Sequence, residues 1–347
     1  MISGHYINYI VFALVCLVLM TLPFLPALQE LLHPSDAASL PVLPNYNNDI
    51  DHFARRLQAD VAAKLGQGPT TGYEDFDFVS MPVENMNWRK ASKRLIARNS
   101  INTLMPVRTV QPLYIQGSIR AGAESSFSAL YATGNIELGA ESEVHDWAHA
   151  EGVLHLGRKS LALRRISAGT AIELGEDAWF ERLQAPTLHF GSRTTHASPP
   201  SEADQTLASF ADLPGAVQQT PSLFLIRGDC VLAADKIYPG SLVVTGFLTV
   251  GDRTTVTGDI KSREGVSIGV GAWAQGAITC EKRVYVFKDA KVAGPLISES
   301  DILIGANALI GLPDANTSVS ACNIIVENGA VVHGAIWAHE IGMVKSA

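Results

Sequence analysis

The chain has 347 residues, room for two ordinary domains or one long repeat domain. Hydrophobic residues make up 47%, aromatic residues only 7% and charged residues 17%, a balance that suits thin β-coils better than helical bundles. A formal net charge of -8 argues against a general nucleic-acid binder. The four cysteines (Cys16, Cys230, Cys280, Cys322) form no CxxC pair and no metal spacing, and they read as buried, reduced thiols.

From Tyr9 to Leu28 the chain runs 20 residues without a charge, the length that crosses a bilayer core. Tyr6 and Tyr9 stand where an interfacial aromatic belt belongs, with Phe12, Leu17 and Leu22 deeper in the segment. No basic n-region precedes it and no small-x-small cleavage site follows Leu28, which favours a retained single-pass inner-membrane anchor over a cleaved signal peptide. Residues 1 to 9 carry no Lys or Arg and the next basic residue is Arg55, so the positive-inside rule has almost nothing to count.

Residues 29–112 form a juxtamembrane region. Pro34, Pro41 and Pro44 mark an extended stalk. A helix follows, capped by Asn48 or Asp49, with Ile50, Phe53, Leu57, Val61 and Leu65 on one stripe; it packs on the rest of the chain or on a second copy. Next comes a basic cluster, Arg89, Lys90, Lys93, Arg94 and Arg98, behind Trp88. Two readings stand here: a solvated helix face, or contact with anionic lipid at about 1 kcal/mol per charge, which would put the body on the cytoplasmic side.

The first repeat block spans 113–191. Gly117-Ser-Ile-Arg-Ala-Gly122, Gly134-Asn-Ile-Glu-Leu-Gly139 and Gly152-Val-Leu-His-Leu-Gly157 are copies of one turn. Alternation such as Ile136-Glu137-Leu138 is that of a half-buried strand. Residues 192–222 break the period; they read as a flexible inserted loop, with one short helix over 203–210. In the second block, 223–347, Gly240, Gly258, Gly276 and Gly294 fall 18 residues apart, as do Leu232, Val250, Ile268, Val286 and Ile304. A period that short is one coil of a solenoid, and the second series is its inward ladder. Both blocks together predict about ten coils and, at about 4.8 Å per layer, a rod of about 45 to 50 Å.

The run Gly246-Phe-Leu-Thr-Val-Gly-Asp-Arg-Thr-Thr-Val-Thr-Gly-Asp-Ile260 resembles the bactofilins, polymer-forming bacterial cytoskeletal proteins, as do Val292-Ala-Gly-Pro-Leu296 and Ala330-Val-Val-His-Gly-Ala-Ile336. The likeness is clearest over 223–344 and loose over 113–191. It implies an all-β, right-handed β-helix that assembles end to end without nucleotide. It also implies a scaffold at the membrane for envelope- or polysaccharide-building proteins. The long N-terminal region and the interrupted double block depart from the family pattern, and an extra block can cap an end.

Eighteen is also three hexapeptides, the period of left-handed β-helix acyltransferases. Against that reading, the third hexad starts with Ser262, Cys280 and Ser298 where a bulky aliphatic residue is expected, and only His333 or His339 offers a general base in the second block. A periplasmic carbohydrate-binding rod is the third class left open. His145 and His149, with Asp146 between and His155 one coil on, read as surface histidines at a corner rather than metal ligands. No catalytic residue and no cofactor is assigned. After Ile336 only eleven residues remain to cover the open end of the last coil. That edge is expected to stack on a second copy, with Trp337 and Ile341 at the contact.

Overall fold

Residues eighteen apart pair side by side, and this one relation builds the molecule. The computed structural model describes residues 4–25, 50–65, 75–79, 83, 86–192 and 205–346, the side chains of 4–8 excepted. Two compact units result, Met1–Asn48 and Asp49–Ala347.

In the second unit every coil lays three short strands against the coil before it, in parallel. On one face the second block runs through Leu223–Ile226, Ser241–Val244, Ile260–Ser262, Ile278–Cys280 and Leu296–Ser298 to Thr317–Glu327 and Val331–Lys345. The series Leu232, Val250, Ile268, Val286 and Ile304 stacks partner on partner, each at most 2% exposed, and continues into Val326 and Val344. Gly276 shows why small residues recur between the strands: a Cβ there would meet the carbonyl carbon and oxygen of Gly258 at 2.5 Å. Close coil approach, rather than a left-handed backbone, demands glycine at that position.

The first block begins earlier than the repeat signature. Phe76–Phe78 pairs with Arg94–Ala97, which pairs with Leu113–Ile115, so two coils precede the first Gly-x-Ile-x-x-Gly turn. With seven layers in each block the solenoid has about fourteen turns, not ten.

The blocks meet tail to tail. The last coil of the first, Trp179–Phe190, runs antiparallel to the last strand of the second, Val331–Lys345, with partners along its whole length: Trp179 with Met343, Arg182 with Trp337, Leu183 with Ile336 and Leu188 with Val332. This corrects the expectation of a C-terminal edge free to stack on another copy. Trp337 pairs within its own chain, under the Arg182 guanidinium at 3.7 Å from the ring centre. Both edges that a solenoid leaves unpaired are thus closed against each other.

The outer ends are closed too. Ahead of the second block, Phe210 is wholly buried against Phe224 and Tyr238 at ring distances of 5.6 and 5.1 Å. Ala216–Thr220 folds back antiparallel on Leu223–Ile226, and Thr206–Leu207 pairs with Lys236–Tyr238. The stretch expected to be a flexible loop is therefore a cap from 205 onward, made of strands and a 3-10 turn (Phe210–Asp212) instead of a helix; residues 193–204 lie outside those described. Over the first block, Val83 and Trp88 are buried in the same core.

Helix α2, His52–Leu65, lies on an outer face of the first block. It buries Ala54, Leu57 and Val61 against Phe76, Ile96, Tyr114 and Tyr131. Its stripe is thereby used within the chain, while Phe53 stays outside it, 38% exposed under the Arg165 guanidinium. The proposed caps Asn48 and Asp49 lie outside the described residues.

In the first unit α1 covers Gly4–Thr21 and gives way to a 3-10 turn, Leu22–Phe24, where Pro23 has no N–H to continue the helix. Tyr9, Phe12, Leu17 and Leu22 are all exposed. The expected span to Leu28 is therefore not one helix. From Tyr9 to Thr21 the apolar helical part is about 20 Å long at 1.5 Å per residue, against a hydrocarbon core of about 30 Å. Among the described residues no helix is long and apolar enough to cross a membrane.

Candidate functional site

Outward-facing positions on the α2 face form their own ladder: Ile96, Tyr114, Tyr131, His149, Ser167 and Gln184, each partner to the next. The aromatic members stack, Tyr114 on Tyr131 at 4.9 Å and Tyr131 on His149 at 5.6 Å. The helix covers the upper part of this ladder and stops short of the joint. Beneath its first turn opens a groove of about 650 Å³.

The walls come from both blocks and the helix: Asp51 just ahead of α2, Arg55 and Gln58 on it, His149, Glu151 and Ser167 from the first block, Thr317 and Gly334 from the second. The groove is polar because the charged start of α2 faces it, while the column below offers an imidazole and a hydroxyl. Asp51 and Arg55 pair at 2.7 Å. Tyr131 donates its O–H to Glu151 Oε1 at 2.5 Å. His149 Nδ1 lies 2.8 Å from Ser167 Oγ, and its Nε2 faces Glu151 Oε1 at 3.7 Å. Burial pushes the His149 imidazole below its usual range, and the same cause, aided by Glu151, pushes the Tyr131 phenol up. In the wall contributed by the second block, the hydroxyl of Thr317 is buried with no hydrogen-bond partner.

Reading His149 as a surface residue is corrected here: it is 8% exposed, on the strand Glu143–Ala150 and not at a corner. His145 is exposed beside Ser126, and His155 pairs with Glu173 at 3.3 Å. Among the described residues no group of three or more His, Cys, Asp or Glu is placed to hold a metal ion. Spacing alone carried the signal for the column, since Tyr131, His149 and Ser167 stand 18 apart.

The basic cluster is divided. Trp88–Lys90 is a 3-10 turn and Arg94–Ala97 a strand, so no helical face exists there. Arg94 bonds Asp60 of α2 at 3.0 Å and lies over the Phe76 ring, Arg98 lies over Phe78, and Lys93 stands 3.7 Å from Asp77. Arg89 and Lys90 remain exposed.

A second surface feature crosses the joint on another face. Outward side chains Leu161, Trp179, Met343, Ile325, Leu303 and Tyr285 follow one another layer by layer. From Trp179 to Tyr285, with Ile341 beside them, they line a shallow apolar groove of about 520 Å³, flanked by the Arg283–Asp301 ion pair at 2.9 Å. Trp179 and Ile341 are 43% and 42% exposed, so this is an apolar strip of six layers, about 24 Å from first to last.

His333 and His339 serve structure: His333 is buried at the joint against Pro186 and Thr187, and His339 stacks on Trp337 at 4.1 Å. Cys230 and Cys280 are buried as expected of reduced thiols, whereas Cys16 and Cys322 are only partly covered; all four are free. Comparison of the chain with protein-family models, with curated proteins and with solved structures finds no match.

Proposed function

We propose that this chain is a membrane-associated structural scaffold of bactofilin type, a right-handed rod that self-associates and organises envelope- or polysaccharide-building partners at the inner membrane. The observation that carries the reading is the apolar strip from Leu161 to Tyr285, half-buried except at exposed Trp179, on a body whose ends and edges are closed by its own chain. A closed rod has no end to stack, so association runs through its flank. Helix α1, whose side chains from Tyr9 to Thr21 are apolar in the main and exposed except at half-buried Cys16, supplies the membrane contact. The inward polar residues of the hexapeptide comparison bond backbone instead of serving chemistry: Ser262 Oγ lies 2.7 and 2.8 Å from the carbonyl oxygens of Gly246 and Gly265, and its one O–H donates to either.

Sedimentation velocity of residues 49–347 at tens of micromolar tests the flank. A dimer or larger species is expected, reduced to monomer by Leu303→Lys, an outward change that leaves the core intact. A wild-type monomer at every concentration, or an oligomer indifferent to Leu303→Lys, would overturn self-association through this face.

A further inference from the structure

We propose that Ser167 is a nucleophile activated by His149, and that the groove under the first turn of α2 accepts short-chain carboxylic esters of polar alcohols. This stands apart from the scaffold role and rests on different residues.

Two requirements of a serine nucleophile meet here, a base in hydrogen-bond contact and room for a substrate, and a carboxylate stands 3.7 Å from the base. Ser167 Oγ and His149 Nδ1 are 2.8 Å apart, and the competing contact from Oγ to the Ala148 carbonyl is long at 3.5 Å. Both residues sit on consecutive coils with their backbones locked in the same ladder, which fixes the distance. Across the ring, Nε2 faces Glu151, whose carboxylate is held by the Tyr131 hydroxyl. With the proton on Nε2 toward Glu151, Nδ1 is left to accept from Ser167. The two nitrogens are used in the reverse order from the familiar Ser-His-Asp triad, and Glu151 acts on the ring through its charge rather than through a hydrogen bond.

The electrostatics favour a base at rest. Burial is the main influence on His149 and lowers its affinity for a proton; Arg55 from α2 acts in the same direction, while Glu151 and Asp51 oppose it. The ring is therefore neutral at pH 7, and Glu151 stabilises the imidazolium once it forms. Small neighbours such as Ala168, Gly169 and Ala185 leave space for a short acyl group, and Gln58 and Asn316 suit a polar alcohol.

In the step itself, Ser167 Oγ bonds to the ester carbonyl carbon while its proton passes to His149 Nδ1. The tetrahedral adduct collapses by breaking the bond to the alcohol oxygen, which takes the proton from His149 and departs. Water then repeats the sequence on the acyl-serine, releasing the carboxylic acid and restoring the hydroxyl.

The test uses the full chain and an alkyl fluorophosphonate, which forms an O–P bond at an activated serine as the P–F bond breaks and fluoride leaves. One adduct per chain is expected, on the peptide holding Ser167, and absent in Ser167→Ala. The labelling rate should rise with pH through a midpoint below the ordinary histidine value of about 6.5 and then level off. His149→Gln should slow it more than tenfold, and p-nitrophenyl acetate hydrolysis should fall in parallel. If His149→Gln does not fold, the wild-type pH profile decides alone. No adduct on Ser167 at millimolar probe, a rate that His149→Gln leaves unchanged, or a midpoint at or above about 6.5 would each overturn the assignment.

Discussion

Each coil closes at a corner where one residue enters the left-handed region: Asp235, Arg253, Asp289 and Asn307 have φ of 58°, 51°, 57° and 57°. Asp and Asn tolerate that conformation better than most residues, so the corner is cheap where they occupy it. The inward residue after each strand then has little freedom, and Ile268, fully buried between Val250 and Val286, is the most constrained of its ladder. Ile268→Asp would bury a charge without a partner, at a cost of several kcal/mol. The expected outcome is insoluble or unfolded protein; a variant that melts like wild type by circular dichroism would refute the placement. Burial also sets thiol reactivity. It raises the Cys230 thiol to about 11 and pushes Cys280 up for the same main reason, so at pH 8 only roughly one Cys230 in a thousand is thiolate. Mass-mapped iodoacetamide labelling of the native chain should modify Cys322 well before Cys230 or Cys280. Equal rates would mean that the coils open readily.

Among the elements, the two helices show how far pattern reaches. The α2 stripe was legible because Leu57 and Val61 repeat at helical spacing, and the 18-residue strands were legible because their glycines and β-branched residues recur. The first two coils were not. Arg94-Leu-Ile-Ala and Ile101-Asn carry no glycine corner, and the charges that hide them, Arg94 and Arg98, are spent on Asp60 and on the rings of Phe76 and Phe78. The cap over 205–222 was hidden for a related reason: it is polar in composition and commits one fully buried large apolar side chain, Phe210, to the core, with Leu213 partly buried beside it. For α1, Pro23 and Pro26 sit inside an uncharged run that hydropathy alone counts as continuous. An exposed apolar helix still seeks lipid. The full chain is expected to float with phosphatidylglycerol-containing vesicles on a density gradient, and Phe12→Asp with Leu17→Asp to abolish flotation. Flotation retained in the double variant would move the membrane contact elsewhere, with exposed Arg89 and Lys90 the next candidates.

At the scale of the molecule, the decisive fact is that two solenoids of opposite direction share one core. Fourteen layers at about 4.8 Å give the second unit a rod about 62 Å long. Sequence periodicity cannot disclose this arrangement, because a strand that ends a solenoid reads the same whether it meets solvent, another chain or an earlier coil. The pairing of Trp179–Phe190 with Val331–Lys345 joins residues about 150 positions apart and leaves only local traces, such as Gly342, where a Cβ would stand 2.2 Å from the Phe180 ring. The candidate groove was illegible for the same reason, since its walls lie on both sides of the joint. If the joint holds the rod together, each block alone exposes a full coil of unpaired N–H and C=O groups above an open apolar core. Residues 50–192 and 205–346, produced separately, are therefore expected to self-associate or precipitate. Refolded together, they should form a 1:1 complex on size exclusion, and Gly342→Val should weaken that complex by crowding Phe180. Two soluble monomeric fragments that ignore each other would show that the blocks fold independently, and the shared core would then contribute little to the stability of the rod.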